Sequence, residues 1–231
     1  MNPEQPHADT AGDDVVLQAF RAESARLSEV LGELTEAQFA LATPPWNVAE
    51  LAVHITSAVS RVVAGLAAPA PPRVDIAAAD YYRPTIFDDV ANAERVRMAQ
   101  RDAATYPNAT AIAAAFDDTW RQTDTAISEQ PADRLITTRW GDGILLREFM
   151  ITRVVEVVLH GLDIAIALGV SAWTAPESAA VVGDFLRIEP AITHLGWDRR
   201  TALAKASGRA ALSTRESAEL ARLNITWRRF G

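Results

Sequence analysis

The sequence predicts an all-α protein, an up-and-down four-helix bundle with a small helical C-terminal appendage. Three observations carry that expectation. Long segments place apolar residues three and four apart, the repeat of a helix with one face on a core. Helix start and stop signals bracket them. Strand candidates are few and short.

Taken in order, DDVVLQAFRAESARLSEVLGEL opens with acids and keeps helical spacing over about 14–33. Residues 1–13 read as a disordered tail. After the TPPW turn, Asn47 and Glu50 form an N-x-x-E capping signal that opens NVAELAVHITSAVSRVVAGL. APAPPR ends that helix, because proline cannot continue it. A loop containing DYYRPTIF follows, then helices near 88–104 and 109–128. RLITTRWGDGI reads as a short irregular or hairpin-like piece. A long helix then runs over about 145–168 and stops at Gly169, and another spans 176–187. Two shorter helices close the chain, one ending at Gly208 and one starting at Ser213 with Glu216 as its capping-box partner. The domain reading is a bundle over 14–190 and an extension over 191–231.

Composition narrows the function classes. The 231 residues suffice for a full core, and 49% hydrophobic with 23% charged residues is ordinary for a soluble globular protein. A net charge of −8 argues against a nucleic-acid partner, whose phosphates want a basic face. No apolar run reads as long as a membrane span, and the N-terminus lacks the regions of a signal peptide, so a cytoplasmic protein is expected, as monomer or homodimer. There is no cysteine, which excludes disulfides, a cysteine nucleophile and cysteine metal ligands. Lys205 is the only lysine among 22 basic residues and alanine is abundant, a bias that points to a GC-rich genome.

Chemistry enters with two polar stripes. In RVVEVVLHGLD, residues 153–163, Arg153, Glu156, His160 and Asp163 stand at spacings of three, four and three and share one helix face. The rest of the circumference is mostly aliphatic, so the helix is buried and its stripe needs a cleft or internal partners. The second helix repeats the pattern with Asn47, Glu50, His54, Ser57 and Arg61. Facing stripes would bring His54 to Glu156 and His160. Glu156 and His160 lie about 6 Å apart along the axis and about 40° past one turn, which suits two ligands closing on one ion. Two imidazoles and a carboxylate favour Zn²⁺ and leave a fourth position open, although other borderline divalent ions fit. Buried polar residues satisfied by hydrogen bonds would give the same spacing, and spacing alone leaves both readings open.

WNVAELAVH, from Trp46 to His54, resembles the W-x-V-x-[DE]-L-x-x-H signature of DinB-like four-helix metalloproteins. RVVEVVLHGLDIAIALG, from Arg153 to Gly169, is similar to the R-x-x-E-x-x-x-H-G-x-D-x-A-x-A-L-G pattern of their mycothiol-dependent maleylpyruvate isomerase branch. ASGRAALS, from Ala206 to Ser213, resembles the T-G-R-x-P-L-[ST] element of that branch, with Ser207 for the usual threonine and alanines where proline is common. The C-terminal segment is shorter than the separate α/β domain of the isomerase itself. The resemblance implies a divalent metal, usually zinc, on His54, Glu156 and His160. It also implies mycothiol as the thiol, an actinobacterial source, and S-transfer to an electrophilic small molecule or thiol-assisted isomerisation. A metallohydrolase using metal-activated water, or a non-catalytic metal-containing stress or binding protein, is the alternative.

The remaining candidates take supporting roles. Arg153 would hold a carboxylate of substrate or cofactor, or pair with Glu156. Asp163 would orient a metal-bound imidazole or make a structural hydrogen bond. Tyr81, Tyr82 and Arg83 lie in a loop able to cover the open metal position, and Trp140 precedes the metal helix. Tyr82, Arg83 and Trp140 are thus the candidates for gripping mycothiol or substrate. Trp46 reads as a hydrophobic staple, and Glu50 as a cap or, for hydrolysis, a general base. His7 belongs to the tail, His194 has no partner at ligand spacing, and Asp117 and Asp118 read as a solvated face.

Overall fold

The computed structural model describes residues 15–83 and 88–228. The expected tail 1–13 and the PTIF part of the DYYRPTIF loop lie outside them. The helices are α1 (Val15–Glu33), α2 (Glu36–Phe39), α3 (Val48–Ala67), α4 (Ala78–Tyr81), α5 (Asp89–Ala103), α6 (Ala109–Ser128), α7 (Leu146–Leu168), α8 (Pro176–Leu186), α9 (Glu189–Leu195), α10 (Arg199–Ala206) and α11 (Thr214–Arg222). Two small antiparallel ribbons complete the described structure: β1 (Ala42–Thr43) with β2 (Trp46–Asn47), and β3 (Leu135–Thr137) with β4 (Gly143–Leu145).

Four long helices form the bundle. α1 packs on α6 and α7, and α3 packs on the same two, so α1 and α3 stand diagonally opposite. Phe20, Leu27, Ile55, Val59, Phe116, Val157 and Val158 are buried between them. The reciprocal Asn47–Glu50 capping box starts α3, as its sequence signal says. Gly169, at φ 68°, ends α7 in the left-handed conformation that glycine adopts without penalty.

The structure departs from expectation at two helices. α3 has the length and apolarity of a membrane span, with a mean hydropathy of 1.3, contrary to the sequence reading. It is nevertheless a bundle helix, packed on α5, α6 and α7. α8 stops at Leu186 because Arg187, not a glycine, takes the left-handed cap at φ 62°, and the unforeseen α9 starts at once with Pro190 in its first turn.

α8 lies on α1 and α7, and α10 lies on α8. Lys205 of α10 ties α10 to α11: its Nζ donates to Glu216 at 2.8 Å and to the Ala211 carbonyl at 3.0 Å, and it stands 5.3 Å from the Trp197 ring. The Lys205 hydrogen bond and the cap it makes on Ser213 hold the Glu216 carboxyl down at about 2.

One glycine is required by close approach. A Cβ on Gly143 would sit 2.1 Å from the Arg73 carbonyl oxygen. The Gly143 carbonyl accepts from the Asp75 and Ile76 amides, and its own N–H donates to Asp75 at 2.8 Å. The proline-rich segment after α3 is thereby stitched to the β3–β4 hairpin.

Glu23 on α1 is buried, and its Oε2 accepts the Ala175 N–H at 2.9 Å where α8 begins. Burial, against the pull of that bond, raises its pKa to about 7. The folded chain therefore keeps this proton up to about pH 7, whereas the unfolded chain releases it near 4.5. Stability is expected to fall as pH rises between those values, by about 3 kcal/mol at most, and to stay lower above them. Glu23→Gln keeps an acceptor for Ala175 and is expected to remove that slope. Urea unfolding at about pH 5 and about pH 8 measures it, and an unchanged slope would assign the proton elsewhere.

Candidate metal centre

His54 comes from α3, and Glu156 and His160 come from consecutive turns of α7. The packing of α3 on α7 turns the two polar stripes toward each other. One ligand atom from each residue lies within 4.8 Å of the other two. Glu156 Oε2 stands 3.6 Å from His54 Nε2 and 3.3 Å from His160 Nε2. Ligands about 2.0–2.1 Å from a tetrahedral ion lie about 3.4 Å from one another, so these separations fit one ion. No other group of three such side chains is close enough to hold an ion among the described residues.

Partners behind the three side chains fix their orientation. Tyr82, just past α4, points its hydroxyl at Glu156 Oε1 (3.2 Å) and at the Thr152 carbonyl (3.0 Å). Oε1 is thus occupied while Oε2 faces the imidazoles. Asp163 Oδ2 lies 3.0 Å from His160 Nδ1. A proton on Nδ1 would leave the Nε2 lone pair available to a metal ion. Arg209, in the turn after α10, grips Asp163 with two nitrogens, Nε to Oδ1 at 2.8 Å and Nη2 to Oδ2 at 2.6 Å. Trp46 stacks on His54 with ring centres 4.8 Å apart, and its buried Nε1 has no hydrogen-bond partner among the described residues.

Electrostatics separate the two imidazoles. Burial lowers the His54 pKa, with the His160 charge adding to the effect, and keeps this ring neutral. Burial would lower His160 too, but the bonds to Asp163 and Glu156 outweigh it and raise its pKa. Burial works to raise Glu156, yet the hydrogen bonds from His160 and His54 and the charge of Arg153 hold it well below the usual carboxylate range.

The ligand set borders a cavity of about 290 Å³. Trp46, Tyr81, Tyr82, Trp140 and Arg153 contribute to its wall. Arg153 is 1% exposed and makes no ion pair with Glu156 among the described residues. Its guanidinium runs toward α3 instead, donating to the Ala58 carbonyl at 2.6 Å and to Thr152 Oγ1 at 2.9 and 3.1 Å, over the Phe149 ring. Trp140, in the β3–β4 turn, packs 4.9 Å from Tyr81. Arg83 does not line this cavity; it pairs with Asp142 at 2.8 and 3.2 Å and lies 5.6 Å from the Trp140 ring. Glu50 is committed to its cap, and His194 is exposed on α9. Asp117 accepts from Ser28, Trp120 and Arg121, so it joins α1 to α6 as well as facing solvent. Sequence reasoning assigned no role to Arg209, although ASGRAALS had marked its position, and it overlooked Arg95 and Arg139, which line the cavity from α5 and the hairpin turn.

A family profile described as the mycothiol maleylpyruvate isomerase N-terminal domain matches residues 20–165. The chain belongs to this family. Among solved structures, the crystal structure of a mycothiol-dependent maleylpyruvate isomerase aligns with a TM-score of 0.54 at 17% identity, over 84% of this chain and 88% of that one. A histidine-to-alanine mutant of a mycothiol-dependent maleylpyruvate isomerase aligns with a TM-score of 0.53 at 16% identity, with the same coverage. At such identity the likeness shows a shared fold. No curated protein matches the chain.

In this member of the isomerase family the Arg209–Asp163–His160 line joins the C-terminal segment to the bundle. The Arg209 and Asp163 side chains are 16% and 24% exposed. Arg209→Met is expected to cost about 2–3 kcal/mol, because Asp163 loses its bidentate guanidinium partner and keeps only His160. Adding Asp163→Asn is expected to restore part of that loss in urea unfolding; strictly additive losses would show the pair to be uncoupled.

Proposed function

We propose that the chain is a metal- and thiol-dependent enzyme whose His54, Glu156 and His160 hold a divalent ion. Zinc is the ion their donor set favours. The observation that carries this reading is the convergence of two imidazole Nε2 atoms and one carboxylate oxygen at a cavity wall. The family adds mycothiol as the thiol, and the electrophile is a small molecule. An ion held there would lower the pKa of a coordinated thiol and so supply a nucleophile for an electrophilic carbon, as in S-transfer or thiol-assisted isomerisation.

The chain's own residues prepare the site for that chemistry. Asp163, braced by Arg209, sets the His160 tautomer. Tyr82 holds Glu156 Oε1, so that the other oxygen is the ligand. Trp46 shields His54, and its Nε1–H is a donor for a bound molecule. Tyr82 and Trp140 form an aromatic wall for thiol or substrate. Arg83 acts behind Trp140 rather than at the molecule gripped, and Arg153 presents its charge from the cavity wall. The cysteine-free sequence makes the thiol an outside reagent. A water-activating hydrolase would need Glu50 as its base, and Glu50 is occupied at the start of α3. The setting proposed is cytoplasmic, with a bundle over 14–190 and an extension over 191–231 that supplies Arg209.

Purified protein is expected to contain about one divalent ion per chain and to gain thermal stability with mycothiol. His54→Ala is expected to lose both. Full turnover of an electrophile without any thiol would overturn the mechanism. Metal affinity is expected to weaken as pH falls, since protons compete for both imidazoles and His160 takes its proton above the ordinary imidazole range. A metal-binding titration across the neutral-to-acid range reads this, and affinity flat with pH would exclude the histidines as ligands.

A further inference from the structure

Gln38, Glu50 and Glu216 each stand third in a helix and close a capping box on the residue that starts it. Glu148 holds the same place in α7, yet it turns elsewhere. Its Oε2 accepts the Ala78 N–H at 2.9 Å, across 70 residues of chain. Ala78 opens α4, and the preceding Ala77 has no side-chain oxygen to offer it. First-turn amides have no partner within their own helix, so Glu148 caps a helix to which it does not belong. Four residues on, Tyr82 sets its hydroxyl on the Thr152 carbonyl and on Glu156 Oε1, at 3.0 and 3.2 Å. Glu148, Thr152 and Glu156 stand at intervals of four on α7, about 6 Å of axis each. The segment from Ala78 to Tyr82 is thereby pinned to α7 at both ends, on the stripe that continues to His160. Its other contacts leave its height along α7 unset. Tyr81 is buried 5.5 Å from the Phe149 ring and 4.9 Å from Trp140, and apolar packing is non-directional. Asp75 and Ile76 before the segment and Arg83 after it bond to Gly143 and Asp142, both in the hairpin.

We propose that Glu148 is a positioning residue for the candidate metal centre: its hold on the Ala78 amide sets where Tyr82 meets α7, and Tyr82 keeps Glu156 to one free oxygen. This deepens the metal reading and rests on it for the effect at the ion. With Oε1 engaged, Glu156 and the two imidazoles present three donors and leave one position open. Without that engagement the carboxylate is free to turn and to offer both oxygens, which crowds the position a thiol needs. Glu148 touches neither ion nor substrate. It acts through two hydrogen bonds, from about 12 Å further back along α7.

The test is cobalt loading of the chelator-stripped chain, read by visible absorption, for Glu148→Ala, Glu148→Gln and Tyr82→Phe. Four-coordinate Co²⁺ absorbs strongly in the visible, and further ligands weaken those bands. Glu148→Ala is expected to weaken the bands and to lower cobalt affinity about tenfold. Glu148→Gln keeps an acceptor for Ala78 and is expected to match the parent. A loss in Glu148→Gln equal to that in Glu148→Ala would place the effect in the charge at the start of α7 and overturn the proposal. Tyr82→Phe is expected to give the spectrum of Glu148→Ala, and adding Glu148→Ala to it is expected to change nothing further. An unaltered spectrum and affinity in Glu148→Ala, or additive losses in the double variant, would overturn the link through Tyr82. A parent chain that takes up no cobalt overturns the metal reading by itself, and urea unfolding of the metal-free chain then decides Glu148. The drop in midpoint caused by Glu148→Ala is expected to shrink once Tyr82 is phenylalanine; an equal drop in both backgrounds overturns the coupling.

Discussion

A carboxylate half-buried between two bundle helices governs the rest of the structure. Withdrawing such a group from water costs several kcal/mol unless its lone pairs are engaged. Glu156 is engaged from three directions: by His54 across the α3–α7 interface, by His160 one turn further along α7, and by Tyr82 from the segment after α4. Each partner belongs to a different part of the chain. The core packing that brings α3 to α7 therefore also builds the site, and the α4 region is fixed by the same carboxylate.

Other contacts serve that arrangement from outside the bundle. The proline-rich segment after α3 folds back on Gly143, which holds the β3–β4 turn where Trp140 and Arg139 face the cavity. On the opposite flank, the turn after α10 sends Arg209 to Asp163 and so to His160. Bundle helices supply the candidate ligands His54, Glu156 and His160, while the irregular segments supply their restraints and much of the cavity wall. Loops change more readily than a packed helix interface, so the cavity wall is freer to vary than the three converging side chains.

Features read from the sequence were those carried by helical periodicity. Glu156 and His160 share a face because they are four apart, and the second stripe placed His54 opposite them for the same reason. Asn47 with Glu50 and Ser213 with Glu216 announced their helix starts, because a capping box is a local contact. Interactions between distant segments left little trace. Nothing near Asp163 indicates Arg209, and nothing near Glu156 indicates Tyr82. Arg153 looked like a partner for Glu156 by spacing, yet its long side chain reaches the Ala58 carbonyl of the neighbouring helix. The boundary between α8 and α9 was hidden because a left-handed arginine stands where glycine is the usual signal.

The lone lysine has a practical consequence. Lys205 is confined between Glu216, the Ala211 carbonyl and the Trp197 ring, so its amine is engaged as long as α10 and α11 stay together. A chain with one side-chain amine carries a single address for acylating reagents apart from its N-terminus. Its rate of modification reports the opening of the α10–α11 junction, next to the turn that carries Arg209, without any label being engineered. The scarcity of lysine has thus left a natural reporter beside the strut that reaches the candidate metal centre.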